Sequence, residues 1–316
     1  MSYPKQVRAL KWFSGRLSGR DFERPIYGSY KVLHNCNLQC SFCNVWSNPV
    51  KPLNTEQAFK VIDRLADSTV TVLSLEGGEP LLRKDILDLI KYASDRSFYL
   101  FMTTNGLLLD KAPVNEFAKY LDFLHISIDE GHGNLYLLDK LKSYTDQGIK
   151  ITVQTVVTKN DVNKLREKVE KVVAANARIL IMPAVTFENM EYVTPDAKEI
   201  HDVLLDLKKE YKGHIVTSMA FIDAIISDYT CHSYGLMIEA NGDIVYPCSV
   251  IGKKIGNIVE TDLEEILSSK EAETARNVMN HCNRHCLLYL HAETSNFLTL
   301  KNLASFIKDT VEGYYV

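Results

Sequence analysis

An α/β fold built on parallel strands is predicted by three observations. From Ile26 to about Gly213, short β-rich runs alternate with longer segments; the short runs are rich in β-branched and aromatic residues; and the longer segments return an apolar residue every three or four positions. Six such β/α units imply parallel strands joined by right-handed crossovers, in a βα barrel or an open sheet.

The strand runs, in order, are IYGSYKVL, TVTVLSLE, FYLFMTT, FLHISI, KITVQTVVT and RILIMPAVTF. Between them, NTEQAFKVIDRLADS, LRKDILDLIKYASDR and VNKLREKVEKVVAANA read as amphipathic helices. The segment TPDAKEIHDVLLDLKKEYKG places Thr194 at the N-cap and Pro195 at the first helical position, and stops at Gly213. From about His214 the alternation ceases. There YGLMIEANGDIVYPCS reads as two strands around Asn241-Gly242, and TDLEEILSS opens a short helix at Thr261 and Asp262. Three regions follow: a basic segment over 1–25, the β/α region over 26–213, and a cysteine-bearing tail over 214–316 whose modest apolar content argues against independent folding.

A hydrophobic fraction of 46% and a charged fraction of 24% describe an ordinary soluble globular protein. The net charge of −4 excludes a general nucleic-acid binder. No stretch approaches the roughly 18 apolar residues of a membrane span, and the N-terminus lacks a signal-peptide core. The chain reads as cytoplasmic, where clustered thiols bind metal rather than form disulfides. In the first 24 residues Lys5, Arg8, Lys11, Arg16, Arg20 and Arg24 are interleaved with Val7, Leu10, Trp12, Phe13 and Leu17. Two readings fit: a helix capping the main domain, or a basic amphipathic surface for lipid or an acidic partner.

In parallel β/α architectures chemistry collects at the C-terminal strand ends. The first strand runs into His34–Cys43, the second into EGGEP (Glu76 to Pro80), the third into TTNG (Thr103 to Gly106) and the fourth into SID (Ser127 to Asp129). All four stretches fall on one edge. Cys36, Cys40 and Cys43 give C-x3-C-x2-C, three thiols where structural zinc wants four ligands and a disulfide two. A [4Fe–4S] cluster, usually held by four thiolates, would keep one iron open for a ligand. A zinc site completed by His34 or a distant cysteine is the alternative, but zinc explains neither GGEP nor the strand-end placement.

C-x3-C-x2-C with Phe42 before the last cysteine, followed by GGEP after the second strand, resembles the radical S-adenosylmethionine (radical SAM) enzymes over about residues 26–286. The resemblance implies a partial (β/α)6 barrel with a small C-terminal α+β cluster-binding extension. It also implies that the open iron binds the amino and carboxylate groups of S-adenosylmethionine. Reductive cleavage then gives a 5′-deoxyadenosyl radical that abstracts a substrate hydrogen. In those roles Gly77 and Gly78 let the backbone approach a ligand, Glu79 accepts from its ammonium and Pro80 stiffens the turn. Ser127 and Asp129 bond ribose hydroxyls, Phe42 packs on adenine, and Asn105 holds the same face. Two departures stand out. Glu76 occupies a place where relatives often carry Gln, and the Arg-containing stretch many relatives aim at the cofactor carboxylate is missing after SID, with Lys140 as the substitute considered.

Cys231 and Cys248 flank the hairpin, and Cys282 and Cys286 form HCNRHC. This resembles the auxiliary-cluster extensions called SPASM and Twitch. Four cysteines match the shorter type, with one fully ligated auxiliary [4Fe–4S] cluster. Five residues separate Gly242 from Cys248 where the family has four, which implies a bulge. Structural zinc on the four thiolates is the alternative, and His281, His285 and His291 crowd the same place. Three plus four uses all seven cysteines, so a protein radical donor would be a tyrosine, with Tyr234 and Tyr246 nearest in sequence.

The function expected is that of a radical SAM enzyme served by a low-potential donor such as ferredoxin or flavodoxin. Only some 25 residues precede the first strand, which points toward a small molecule, cofactor precursor or lipid as the organic substrate. A maturase of ribosomally made peptides is the alternative. A non-catalytic iron–sulfur electron-transfer protein and a zinc-stapled binding module are the readings from other classes.

Overall fold

The computed structural model describes residues 7, 8, 10, 12, 24–186, 193–232, 234–284 and 286–296. Strands β1 (Tyr27–Leu33), β2 (Val72–Gly77), β3 (Tyr99–Thr104), β4 (Phe123–Ser127), β5 (Ile151–Val157) and β6 (Arg178–Pro183) pair as successive parallel neighbours. Side chains alternate across them. Tyr30, Val32, Leu73, Leu75, Leu100 and Met102 are wholly buried in the hydrophobic core. Their alternates, among them Ser29, Lys31, Ser74 and Glu76, carry polar groups to the opposite face.

Helix α1 (Thr55–Ala66) begins in a capping box: Asn54 accepts from the Gln57 backbone N–H at 2.9 Å, and the Gln57 side chain accepts from Asn54 N at 3.3 Å. Its apolar positions Ala58, Val61, Ile62 and Leu65 are buried at the spacing that packs a helix on a sheet. The connections continue with α2 (Ile86–Ser94), α3 (Val114–Phe117), α4 (Leu141–Thr145), α5 (Leu165–Ala174) and α6 (Ala197–Glu210). Helix α6 starts later than the sequence predicts. Its N-cap is Asp196, not Thr194, because the Asp196 carboxylate accepts the Glu199 N–H at 2.9 Å and Pro195 then lies outside the helix.

The tail extends the same sheet. After α7 (Met219–Ala224), strand β7 (Gly235–Ile238) pairs parallel with β1, and β8 (Asp243–Tyr246) and β9 (Lys253–Asn257) follow antiparallel. The nine strands lie in the order β6-β5-β4-β3-β2-β1-β7-β8-β9. The hairpin turns at Asn241-Gly242 as the sequence predicts. The expected bulge is absent from this hairpin, whose β7–β8 pairing runs without a register shift; a shift occurs instead in the β8–β9 pair, where Ile255 is the extra residue. Three helices complete the described tail: α8 (Leu263–Leu267), with Asp262 as N-cap, α9 (Lys270–Asn280) and α10 (Tyr289–Asn296).

Arg8 and Trp12 are buried, at 0% and 6% exposure, while Leu10 stays 67% exposed. The Arg8 guanidinium donates to the carbonyls of Ala66, Arg96 and Ser97 and lies over the Phe98 ring. Trp12 donates to the Arg24 carbonyl at 2.9 Å and meets Tyr234 edge-on. These two side chains cap the main domain and are withdrawn from any lipid-facing surface. Among the described residues no helix is long and apolar enough to cross a membrane.

Candidate active site at the strand C-termini

The cysteine loop is shaped by local hydrogen bonds. The Cys40 carbonyl accepts both the Cys43 N–H at 3.1 Å and the Trp46 indole N–H at 3.3 Å, which curls C-x2-C into a turn. His34 anchors its start: Nδ1 lies 2.6 Å from the Asn48 carbonyl and Nε2 lies 2.6 Å from Glu239 Oε2. Glu239 also holds Lys31 at 2.7 Å, so the loop is tied to the end of β7.

EGGEP docks against this loop. Gly78 N donates to Leu33 O at 2.8 Å and Glu79 N to Asn35 O at 2.9 Å. A Cβ at Gly77 would stand 2.1 Å from the Leu33 carbonyl oxygen, and one at Gly78 would stand 2.1 Å from that of Asn35. The close approach these glycines permit is therefore to the chain beside the cysteines. Pro80 opens the 3-10 turn Pro80–Leu82. Glu79, fully buried, accepts from Leu81 N at 3.0 Å, Thr104 Oγ1 at 2.7 Å and Asn105 N at 2.7 Å. Three protein donors already occupy its carboxylate, and burial raises it above the usual glutamate range.

Asn105 joins the third strand end to the loop. Its Nδ2 donates to Asn37 Oδ1 at 2.7 Å and approaches Cys36 Sγ at 3.8 Å, the same sulfur that accepts Leu38 N at 3.4 Å. Asn134, which the sequence reading missed, fastens the next edge: its Nδ2 donates to Asn105 O at 2.8 Å and Ser127 O at 2.7 Å. No motif flags it, since its role depends on two strand ends meeting.

These strand ends enclose a solvent-open cleft lined by Cys36, Cys40, Phe42, Cys43, Glu76 and Ser127 together with Gly77, Gly78 and Asn105. Glu76 is bonded by the Ser29 and Ser74 hydroxyls, and burial raises its carboxyl. Asp129 does not line the cleft. It is 1% exposed, and its carboxylate is taken by His132 and Val156 N. His132, absent from the sequence reading, lines the cleft instead. Lys140 is not at the site either, because it pairs with Asp110 on the outer surface.

The tail builds a second, smaller cavity, lined by Cys231, Cys248, Cys282 and Cys286 with Met279, Leu288 and His291. Burial pushes the Cys231 thiol up to about 12, with neighbouring Cys286 adding to the shift, while a hydrogen bond with Tyr229 opposes it. The tyrosine beside these thiols is therefore Tyr229. Tyr234 packs on Trp12 and His232, and Tyr246 is wholly buried in the core. His281 bonds the Asn277 carbonyl at 2.8 Å, and His285 lies outside the described residues.

The donor chemistry fits clusters at both places. Burial pushes the Cys40 thiol up to about 11, with Cys43, Asp129 and Cys36 adding to the shift. Three thiolates there require a positively charged core to offset one another. Among the described residues no three Cys, His, Asp or Glu side chains are grouped to hold a single metal ion; the thiols ring cavities instead.

The architecture and the strand-end thiols define a cluster-ligating parallel β/α protein. The chain belongs to the radical SAM superfamily, whose model matches residues 30–200, and an iron–sulfur cluster-binding domain of the SPASM type matches residues 230–287. Its cofactors are accordingly S-adenosylmethionine, a [4Fe–4S] cluster and auxiliary iron–sulfur. It is similar to a PqqA peptide cyclase of Bradyrhizobium diazoefficiens, 25% identical over 68% of this chain and 61% of that protein. An AdoMet-dependent heme synthase of Methanosarcina barkeri is 25% identical over 77% of this chain and 82% of its own length. Among solved structures, Streptococcus suis SuiB bound to S-adenosylmethionine superposes with a TM-score of 0.69 at 17% identity, covering 84% of this chain and 71% of SuiB, a likeness of fold. The chain thus spans about three-fifths of the length of the cyclase.

Proposed function

We propose that the protein is a radical SAM enzyme whose reaction centre is the strand-end cleft. One observation carries this reading: Cys36, Cys40 and Cys43 line the same cleft as Gly77 and Gly78, so the thiols and the GGEP stretch form one site. The cluster and S-adenosylmethionine, when bound, supply one-electron cleavage to a 5′-deoxyadenosyl radical that takes a hydrogen from the substrate.

The chain's own residues would do the following. Cys36, Cys40 and Cys43 hold the cluster at three irons, and Asn105 and Leu38 aim N–H groups at the Cys36 sulfur. Glu79 and Pro80 do not line the cleft; they fix the GGEP turn against β3 behind Gly77 and Gly78. Ser127 and Phe42 line the nucleoside side of the cleft, and Asp129 contributes through the residues it holds. Glu76 lines the same cleft. Cys231, Cys248, Cys282 and Cys286 hold the auxiliary cluster, closed to ligands by its fourth thiolate.

The electron donor would be a ferredoxin or flavodoxin, and the compartment the cytoplasm, where the thiols stay reduced. For the substrate, the relatives favour a peptide over the small molecule expected from the sequence, because the cyclase and others like it act on one by name. The heme synthase, matched over most of its length, keeps the small-molecule reading as the second. The test is anaerobic incubation of reconstituted protein with a strong reductant and S-adenosylmethionine. 5′-Deoxyadenosine should form; none above background at full iron content would refute the enzyme reading. Peptide and metabolite comparison of a deletion strain would then separate the two substrate classes.

A further inference from the structure

We propose that Tyr229 is a positioning residue for the auxiliary cluster and raises its reduction potential through the Cys231 sulfur; this rests on the reading of the tail cavity as the cluster site. Cys231, Cys248, Cys282 and Cys286 ring that cavity. Tyr229 joins the two ends of this set. Its hydroxyl oxygen accepts the Leu287 N–H at 3.2 Å, and the same hydroxyl is hydrogen-bonded with Cys231. Leu287 directly follows Cys286, and Tyr229 stands two residues before Cys231.

The donors fix the direction of this relay. A backbone N–H only donates, so the phenol oxygen is the acceptor toward Leu287. At neutral pH a phenol keeps its proton, and the partner left to receive it is the Cys231 sulfur. The backbone is shaped for the arrangement: Leu287 holds φ at 51°, a left-handed conformation uncommon outside glycine. Cys286 accepts the Leu288 N–H in turn, so the two amides after Cys286 serve the tyrosine and the cysteine's own sulfur.

One-electron reduction adds negative charge to a cluster and to the sulfurs that hold it. A donor aimed at one of those sulfurs stabilises the reduced form more than the oxidised form, and the potential rises. Ile251, Met279 and Leu288 give the cavity apolar walls, which screen a hydroxyl dipole weakly. Arg284 and His291 line it too, and the variants below leave both in place.

The test is an anaerobic redox titration of the reconstituted full chain, followed by electron paramagnetic resonance, with iron content as the control for filling. A chain with Cys36, Cys40 and Cys43 replaced by alanine identifies which signal belongs to the tail. Tyr229→Phe keeps the ring and removes the hydroxyl. Its tail cluster should be about tenfold harder to reduce, the scale of one charge-assisted hydrogen bond and about 59 mV for one electron. Tyr229→3-fluorotyrosine keeps the hydroxyl and makes it a stronger donor, so the potential should move the other way. A merely structural role would not give shifts of opposite sign. An unchanged potential in Tyr229→Phe, or shifts of the same sign in the two variants, would overturn the assignment. If Tyr229→Phe fills poorly, the fluorotyrosine variant decides alone, and a potential at or below wild type overturns the proposal. A triple-alanine chain that takes up no iron would instead refute the cluster reading of the tail.

Discussion

Glu79 Oε2 accepts the backbone N–H of Asn105 at 2.7 Å, which locks the GGEP turn to the end of β3. With Thr104 and Leu81 on the other oxygen, one buried carboxylate serves three donors. Glu79→Ala would strand all three at a buried position, at about 1–3 kcal/mol for each unsatisfied group. The variant should unfold at lower denaturant than wild type, and Glu79→Gln, which keeps one oxygen acceptor, should fall between them. Equal midpoints for the three proteins would show that these bonds hold nothing.

Gly78→Ala should empty the three-cysteine site while leaving the tail site filled. The added Cβ would stand 2.1 Å from Asn35 O and 2.4 Å from His34 O, both backbone atoms of the cysteine loop, so the loop must move. Each cluster holds four irons, so iron should fall from about eight per chain to about four. Undiminished iron would mean that the loop tolerates the shift.

Glu76→Gln should stabilise the protein increasingly as pH rises. Burial raises the Glu76 carboxyl above its usual value, against the hydrogen bonds from Ser29 and Ser74 and the charge of Lys31. A carboxyl raised in the folded state binds its proton more tightly there than in the unfolded chain. Its contribution is complete below the unfolded value of 4.5 and is lost as pH climbs through the raised folded value. Glutamine does not titrate, so the thermal midpoint of the variant relative to wild type should climb as pH rises above 4.5. A difference independent of pH would contradict the raised value.

Cys40→Ala and Cys282→Ala should part company in activity. On the proposed assignment, loss of Cys40 would remove a ligand from the open cluster and should abolish 5′-deoxyadenosine formation. Loss of Cys282 disturbs only the cavity of the tail and should leave some uncoupled cleavage. Identical loss in both variants would merge the two sites into one function.

Arg8→Leu should lower the unfolding free energy by about 2 kcal/mol, and with it the midpoint, because the carbonyls of Ala66, Arg96 and Ser97 lose their shared donor. An unchanged midpoint would return Arg8 to the role of a surface cation.

The strands and the principal helices were legible because each carries its own periodicity, as in the capping box at Asn54 and the buried alternates Leu73 and Leu75. The cysteine triad and GGEP were legible because their spacing is local. Asp129 shows where local reading stopped: it stands at the expected strand end, yet its carboxylate is turned to His132 and Val156. Lys140 shows the same limit, since its partner Asp110 is 30 residues away along the chain. Tyr229 was passed over for Tyr234 and Tyr246 because sequence distance to a cysteine does not give the direction of a ring.

The sequence by itself determined the parallel β/α order, the two sets of cysteines and the edge of the sheet on which chemistry collects. Those features depend on residues close together in the chain, where propensity and spacing act directly. Only the tertiary structure decided that β7 extends the sheet beside β1, that Glu239 reaches back to His34, and that His132 rather than Asp129 faces the cleft. Each of these joins residues through strand pairing or buried hydrogen bonds. A buried polar group takes the partner that satisfies it, and which partner lies within reach is fixed only once the strands are packed.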